Sequence, residues 1–153
     1  MDSDRRAALL SIPLLGQLVA LAAANPDPAA GVPPEGAAAP QALASRSVPF
    51  EQATHTVERY GETWRYFKGA TAKLSACTAW RVKLNSHAAP HPPHTHDEEE
   101  MMLVTEGAGE IVIGDEVTPI AAGSMAFCAG GRVHGIRNTT GAPLTYYYWK
   151  WRR

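Results

Sequence analysis

The sequence predicts an all-β protein, an antiparallel barrel or sandwich, and three observations carry that prediction. From Phe50 onward, short stretches alternate with period two, as the side chains of a strand do. Turns at Gly61-Glu62, Gly107-Ala108-Gly109 and Gly114-Asp115 cut those stretches at the rate expected of a barrel or sandwich. The 153 residues include 13 Gly and 12 Pro, a turn-rich composition with room for one core of ordinary size.

Residues 1–24 read as an export signal rather than as part of the fold. Arg5 and Arg6 precede the apolar run from Ala7 to Ala23, and Ala22-Ala23-Ala24 offers a small-residue cleavage site. The arginine pair has the look of a twin-arginine signal, although Asp2 and Asp4 are unusual beside it. Pro13 and the short apolar run argue against a membrane span. A periplasmic or otherwise exported protein is expected, with a cytoplasmic one as the alternative. Residues 25–48 are rich in Pro, Ala and Gly, lack either strand or helix periodicity, and read as a linker. The folded domain is therefore expected over residues 49–153.

Within that domain, Thr56–Tyr60 and Thr63–Lys68 form a hairpin pattern that could extend a sheet or pair with a second subunit. The stretch from Ala72 to Asn85 is the next strand, with Ala76, Thr78, Trp80, Val82 and Leu84 as its core face. Pro90, Pro92 and Pro93 make the following segment a loop, because proline gives a ladder no donor. His87 and His91 lie in it, as solvated loop residues or as groups at the mouth of a pocket. A strand then runs through His94 to Glu106, the glycines at 107 and 109 turn it into a hairpin with Glu110–Ile113, and Glu116–Ile120 returns after Gly114-Asp115. The last strand, Leu144–Trp151, places Tyr146, Tyr148 and Lys150 on one face and Tyr147, Trp149 and Trp151 on the other. Tyr146 and Tyr148 are candidates for core packing or for contact with a ligand; for the tryptophans, core packing is expected.

The chemistry lies in that central stretch. Extended chain puts His94, His96 and Glu100 on one face, continued by Met102 and Val104. Two imidazoles and a carboxylate suit Mn, Fe, Ni, Co or Zn better than Ca or Mg. Glu98 shares their parity, as a catalytic base or as part of a solvated acidic cluster with Asp97. A lone His134 follows the glycine-rich turn Gly130-Gly131 further on. Cys77 and Cys128 could form a disulfide if their Cα atoms lie within about 7 Å, or remain buried thiols.

Two spacings resemble those of the cupin superfamily. His94, His96, Glu100 and Gly107 fall as in its motif G-x5-H-x-H-x3-E-x6-G, and Gly123, Gly131, His134 and Asn138 as in G-x5-P-x-G-x2-H-x3-N. Ala88 and Ala129 replace a glycine and a proline of the pattern, both at turns. The resemblance implies a single antiparallel jelly-roll barrel and one divalent metal held by His94, His96, Glu100 and His134. It also implies a small-molecule substrate and permits a homodimer. A dioxygenase-type oxidoreductase using Fe or Mn is the leading expectation. The alternatives are a binding protein for a sugar or small acid, and an isomerase or hydrolase using a redox-inert ion. With Lys+Arg 14 against Asp+Glu 15, no basic field points to nucleic acid.

Overall fold

The computed structural model describes residues 42–153; the expected export signal and residues 25–41 of the expected linker lie outside the described residues. Residues 42–48 form no helix or strand, yet the Leu43 amide donates to the Ala70 carbonyl at 2.8 Å. Among the described residues, a single 3-10 turn over Phe50–Gln52 leads into nine strands.

Strands β1 (Thr54–Glu58), β2 (Gly61–Gly69), β3 (Ala76–Leu84), β9 (Leu144–Arg152), β4 (Glu99–Glu106) and β7 (Met125–Cys128) form one sheet in the order β1-β2-β3-β9-β4-β7. Strands β6 (Glu116–Ala121), β5 (Ala108–Ile113) and β8 (His134–Arg137) form the second, in the order β6-β5-β8. Every pairing is antiparallel. The N-terminal hairpin extends the larger sheet, with Glu58 opposite Gly61. The core lies between the sheets. Val82 and Leu84 of β3, Met102 and Val104 of β4, and Ile111 and Ile136 of the small sheet meet there. The parities expected for β3 and for the end of β4 hold, since the buried residues are the ones assigned to the inner face.

Two expectations need correction. Glu99–Glu106 and the strand after it are not a hairpin: β4 pairs with β9 and β7, while β5 pairs with β6 and β8 in the other sheet. The reason is the corner at Gly107, whose φ is +76° and where any Cβ would collide with the Pro143 carbonyl oxygen. The second correction concerns the tryptophans. Trp149 and Trp151 occupy the outer face of the large sheet, where Trp149 is 37% exposed and the Trp151 indole donates to Glu99 Oε2 at 2.8 Å. The inner positions of β9 go to Leu144 and Tyr146, because only one face of the strand meets the small sheet. The cysteines do not pair. Cys77 on β3 and Cys128 on β7 stand three strands apart, roughly 14 Å at the spacing of a sheet, and both are free thiols.

Candidate metal centre

The three histidines converge by a route that strand parity alone does not describe. β4 begins at Glu99, so His94 and His96 precede the strand, and the expectation of one continuous ligand strand is corrected. Three nearby prolines supply no donors for a longer ladder. His94 instead forms an isolated antiparallel bridge with His134, each amide donating to the other's carbonyl at 2.9 Å. This backbone bridge brings the two histidine segments together. His96 reaches the same point from irregular chain, its carbonyl accepting from the Gly131 amide at 2.8 Å. Glu100 alone is placed by the strand, facing the core between Cys128 and Lys150 on the neighbouring strands.

One nitrogen of each of His94, His96 and His134 lies within 4.8 Å of the others. Glu100 Oε2 stands 3.1 Å from His96 Nε2 and 3.7 Å from His134 Nε2. The donor set fits a divalent ion on three counts. His134 Nδ1 donates to the Arg132 carbonyl at 2.8 Å, so its Nε2 carries the lone pair. That Nε2 is buried without a hydrogen-bond partner, as is His94 Nδ1. His96 Nδ1 likewise donates to the Glu98 carbonyl at 2.9 Å, which turns a second lone pair toward the Glu100 carboxylate. Two acceptors face to face need a proton or a cation between them.

The electrostatics agree. The carboxylate of Glu100 beside His134 raises that imidazole above its ordinary 6.5, against the effect of burial. Burial pushes the Glu100 carboxyl up, but His134 and His96 outweigh it and hold the group below its ordinary 4.5. His94 is lowered by burial and by the neighbouring imidazoles, so it stays neutral and ready to ligate. The pH dependence follows. Without metal, the stability due to His134 is complete below pH 6.5 and lost as pH rises through its raised value; that due to Glu100 is present above 4.5 and lost on acidification. Metal needs the neutral ring, so protons compete with it at His134. The melting-temperature gain on adding metal should therefore grow between pH 5.5 and 8, as calorimetry at fixed metal would show. A gain independent of pH would contradict the assigned ligand.

Beside the donors, a cavity of about 160 Å³ opens between the sheets. His94, Glu100 and His134 border it, with Tyr146 and Tyr148 in its wall. Burial raises both phenols well above their usual range and keeps their hydroxyls protonated. Glu98 stands elsewhere. It is not among the cavity-lining residues, and its carboxylate lies 3.4 Å from His96 Nδ1, the nitrogen turned toward the Glu98 main chain. Its main-chain carbonyl and its carboxylate both stand at His96 Nδ1. His91 packs edge-on against His94 with ring centroids 4.0 Å apart, whereas His87 sits on the exposed loop. Burial and the Glu100 charge push the Cys128 thiol up to about 11, so it offers no thiolate. Sequence reasoning missed Tyr60, Trp80 and Lys150 as cavity residues. For Lys150 the signal was its shared parity with Tyr146 and Tyr148.

Fold and site together define a small β-barrel protein with an open centre of three histidines and one carboxylate. The barrel is an antiparallel jelly roll, and residues 80–150 match the family described as Cupin domain. Solved structures agree on the fold. A sugar phosphate isomerase from a cupin superfamily, from Silicibacter pomeroyi, superposes with TM-score 0.58 at 23% identity, covering 71% of this chain and 76% of that one. A predicted oxalate decarboxylase from Thermotoga maritima gives 0.57 at 21%, covering 71% and 100%. KdgF from Halomonas sp. gives 0.58 at 19%, covering 72% and 96%. None of the curated proteins matches the sequence. Among the described residues, no helix is long and apolar enough to cross a membrane.

Proposed function

We propose that this protein is a metal-dependent cupin enzyme of dioxygenase type, acting on a small molecule in the cavity beside His94, His96, His134 and Glu100. The observation that carries the reading is the buried, unpartnered Nε2 of His134, aligned with two further imidazoles and a carboxylate at the cavity edge. Fe or Mn is the preferred ion, and when bound it would supply electron exchange with dioxygen and Lewis acidity toward a chelating substrate. His94, His96, His134 and Glu100 would hold the ion, and three of them, His94, Glu100 and His134, border the cavity where a substrate would meet it. The Tyr146 and Tyr148 hydroxyls donate to substrate oxygens, and Val82, Met102 and Ile136 keep the inner wall apolar.

Isomerisation or hydrolysis by a redox-inert ion would need a placed acid or base, and the wall offers His91, Lys150 and three tyrosines for that role. The reading from a different class is a binding protein without turnover, in which the same donors only hold the ligand. Oxygen-electrode assays of Fe-loaded protein with enols, catechols and oxo-acids decide between them. Substrate-dependent uptake is expected; tight reversible binding with no uptake would leave the binding protein.

We also propose that residues 1–24 direct export and that the mature chain forms a homodimer. The basic pair, the apolar run and the small-residue site support the first, and cell fractionation tests it: full-length chain recovered from the cytoplasm would remove it. The exposed outer-face residues Met125, Phe127 and Trp149 support the second, and a monomer mass by light scattering would remove it.

A further inference from the structure

Resting on the reading of this cavity as the substrate site, the geometry points to a small carboxylic acid as its ligand, with the carboxylate held by Lys150 and the indole N–H of Trp80. The argument is an inventory of donors and acceptors. Lys150 lies on the inner face of β9, opposite Glu100 on one side and Thr78 on the other, and lines the cavity. Among the described residues no carboxylate comes within ion-pairing distance of its ammonium. Trp80, two strands away from Glu100 in the same sheet, also lines the cavity, and its Nε1 is buried without a hydrogen-bond partner.

A buried indole donor left unpaired has lost its hydration without replacement, so a ligand acceptor there is favoured. Three tyrosines, Tyr60, Tyr146 and Tyr148, add hydroxyl donors to the same wall. Against these stand few acceptors, chiefly Glu100, which the histidines already engage. A cavity lined by donors and one unpaired cation selects an acceptor-rich anion over a neutral ligand. Size narrows the class. At about 160 Å³ the space compares with the roughly 150 Å³ cavity that holds one benzene, so a polyphenol or an oligosaccharide would have to stand mostly outside it.

The test compares acids with their neutral amides, pyruvate against pyruvamide and benzoate against benzamide, by calorimetry on metal-loaded protein. At least one acid should bind about tenfold or more tightly than its amide, the worth of one charge-assisted hydrogen bond. Lys150→Met should remove that preference by weakening acid binding far more than amide binding, and Lys150→Arg should keep most of it. Trp80→Phe, which retains the ring, should lower acid affinity severalfold. Equal affinity of every acid and its amide, no binding of any of the four, or an undiminished preference in Lys150→Met would each overturn the inference. A metal-free arm separates the two proposals. A chain that loads no metal yet prefers the acid through Lys150 keeps the carboxylate site and loses the metal reading. Full metal loading with no acid preference does the reverse.

Discussion

Protein purified without added metal should carry close to one Fe or Mn per chain, and His134→Ala should carry almost none. Loss of a ligand should cost more than the roughly 10–100-fold typical of removing a group that merely orients one, so affinity should fall by at least about 100-fold. The choice of His134 follows from how the site is assembled. Its ring is 2% exposed, its Nδ1 is committed to the Arg132 carbonyl, and its Nε2 has no protein hydrogen-bond partner. Its backbone, in contrast, makes the bridge to His94, and alanine keeps that bridge. The variant therefore removes a ligand without removing what holds the two segments together. Circular dichroism should show a native strand signal, and His134→Gln, which fills more of the vacated space, guards against a packing artefact. Metal retained at wild-type affinity in both variants would sink the four-donor centre.

The sequence carried the identity of the donors better than their route into place. His94, His96 and Glu100 share a parity, and that parity brought them together on paper. In the molecule only Glu100 owes its position to a strand. His94 depends on a bridge to a residue 40 positions away, and a partner so distant leaves no period in the local pattern. The corner at Gly107 was misread for a related reason. A glycine with positive φ serves a hairpin and a sheet-to-sheet turn alike, and what decides between them here is the Pro143 carbonyl packed against it. The last strand shows the same limit. Its two aromatic faces were visible from period two, but which one meets the second sheet depends on topology, and Tyr146 rather than a tryptophan fills the interior.

Asn138→Ala should produce the largest loss of stability among single polar substitutions outside the metal set. The residue is 2% exposed and follows β8 at the end of the second motif. Its Nδ2 donates to the Asn85 carbonyl at 2.8 Å and to the Ala142 carbonyl at 2.7 Å. Its Oδ1 accepts from the Thr140 amide at 2.9 Å and from the Thr140 hydroxyl at 3.0 Å. One side chain thus ties the end of β3 to the 138–142 turn, and its own amide reaches the Ala88 carbonyl at 2.8 Å. Alanine would strand the Asn85 carbonyl and the Thr140 amide. At about 1–3 kcal/mol for each of these two buried groups left unpaired, the expected cost is about 2–6 kcal/mol. For a domain of this size that lowers the melting temperature by about 10 °C or more. Asn138→Asp discriminates the cause. At neutral pH a carboxylate would face two carbonyl oxygens with no proton to donate, so it should destabilise at least as much as alanine. Acidification protonates it, restores one donor and should recover part of the loss. The segment from Asn85 to Ala88 leads into the proline loop that delivers His94, so metal loading should weaken in step with the fold. A melting temperature within about 3 °C of wild type for Asn138→Ala would show that water replaces the latch and that the loop does not depend on it.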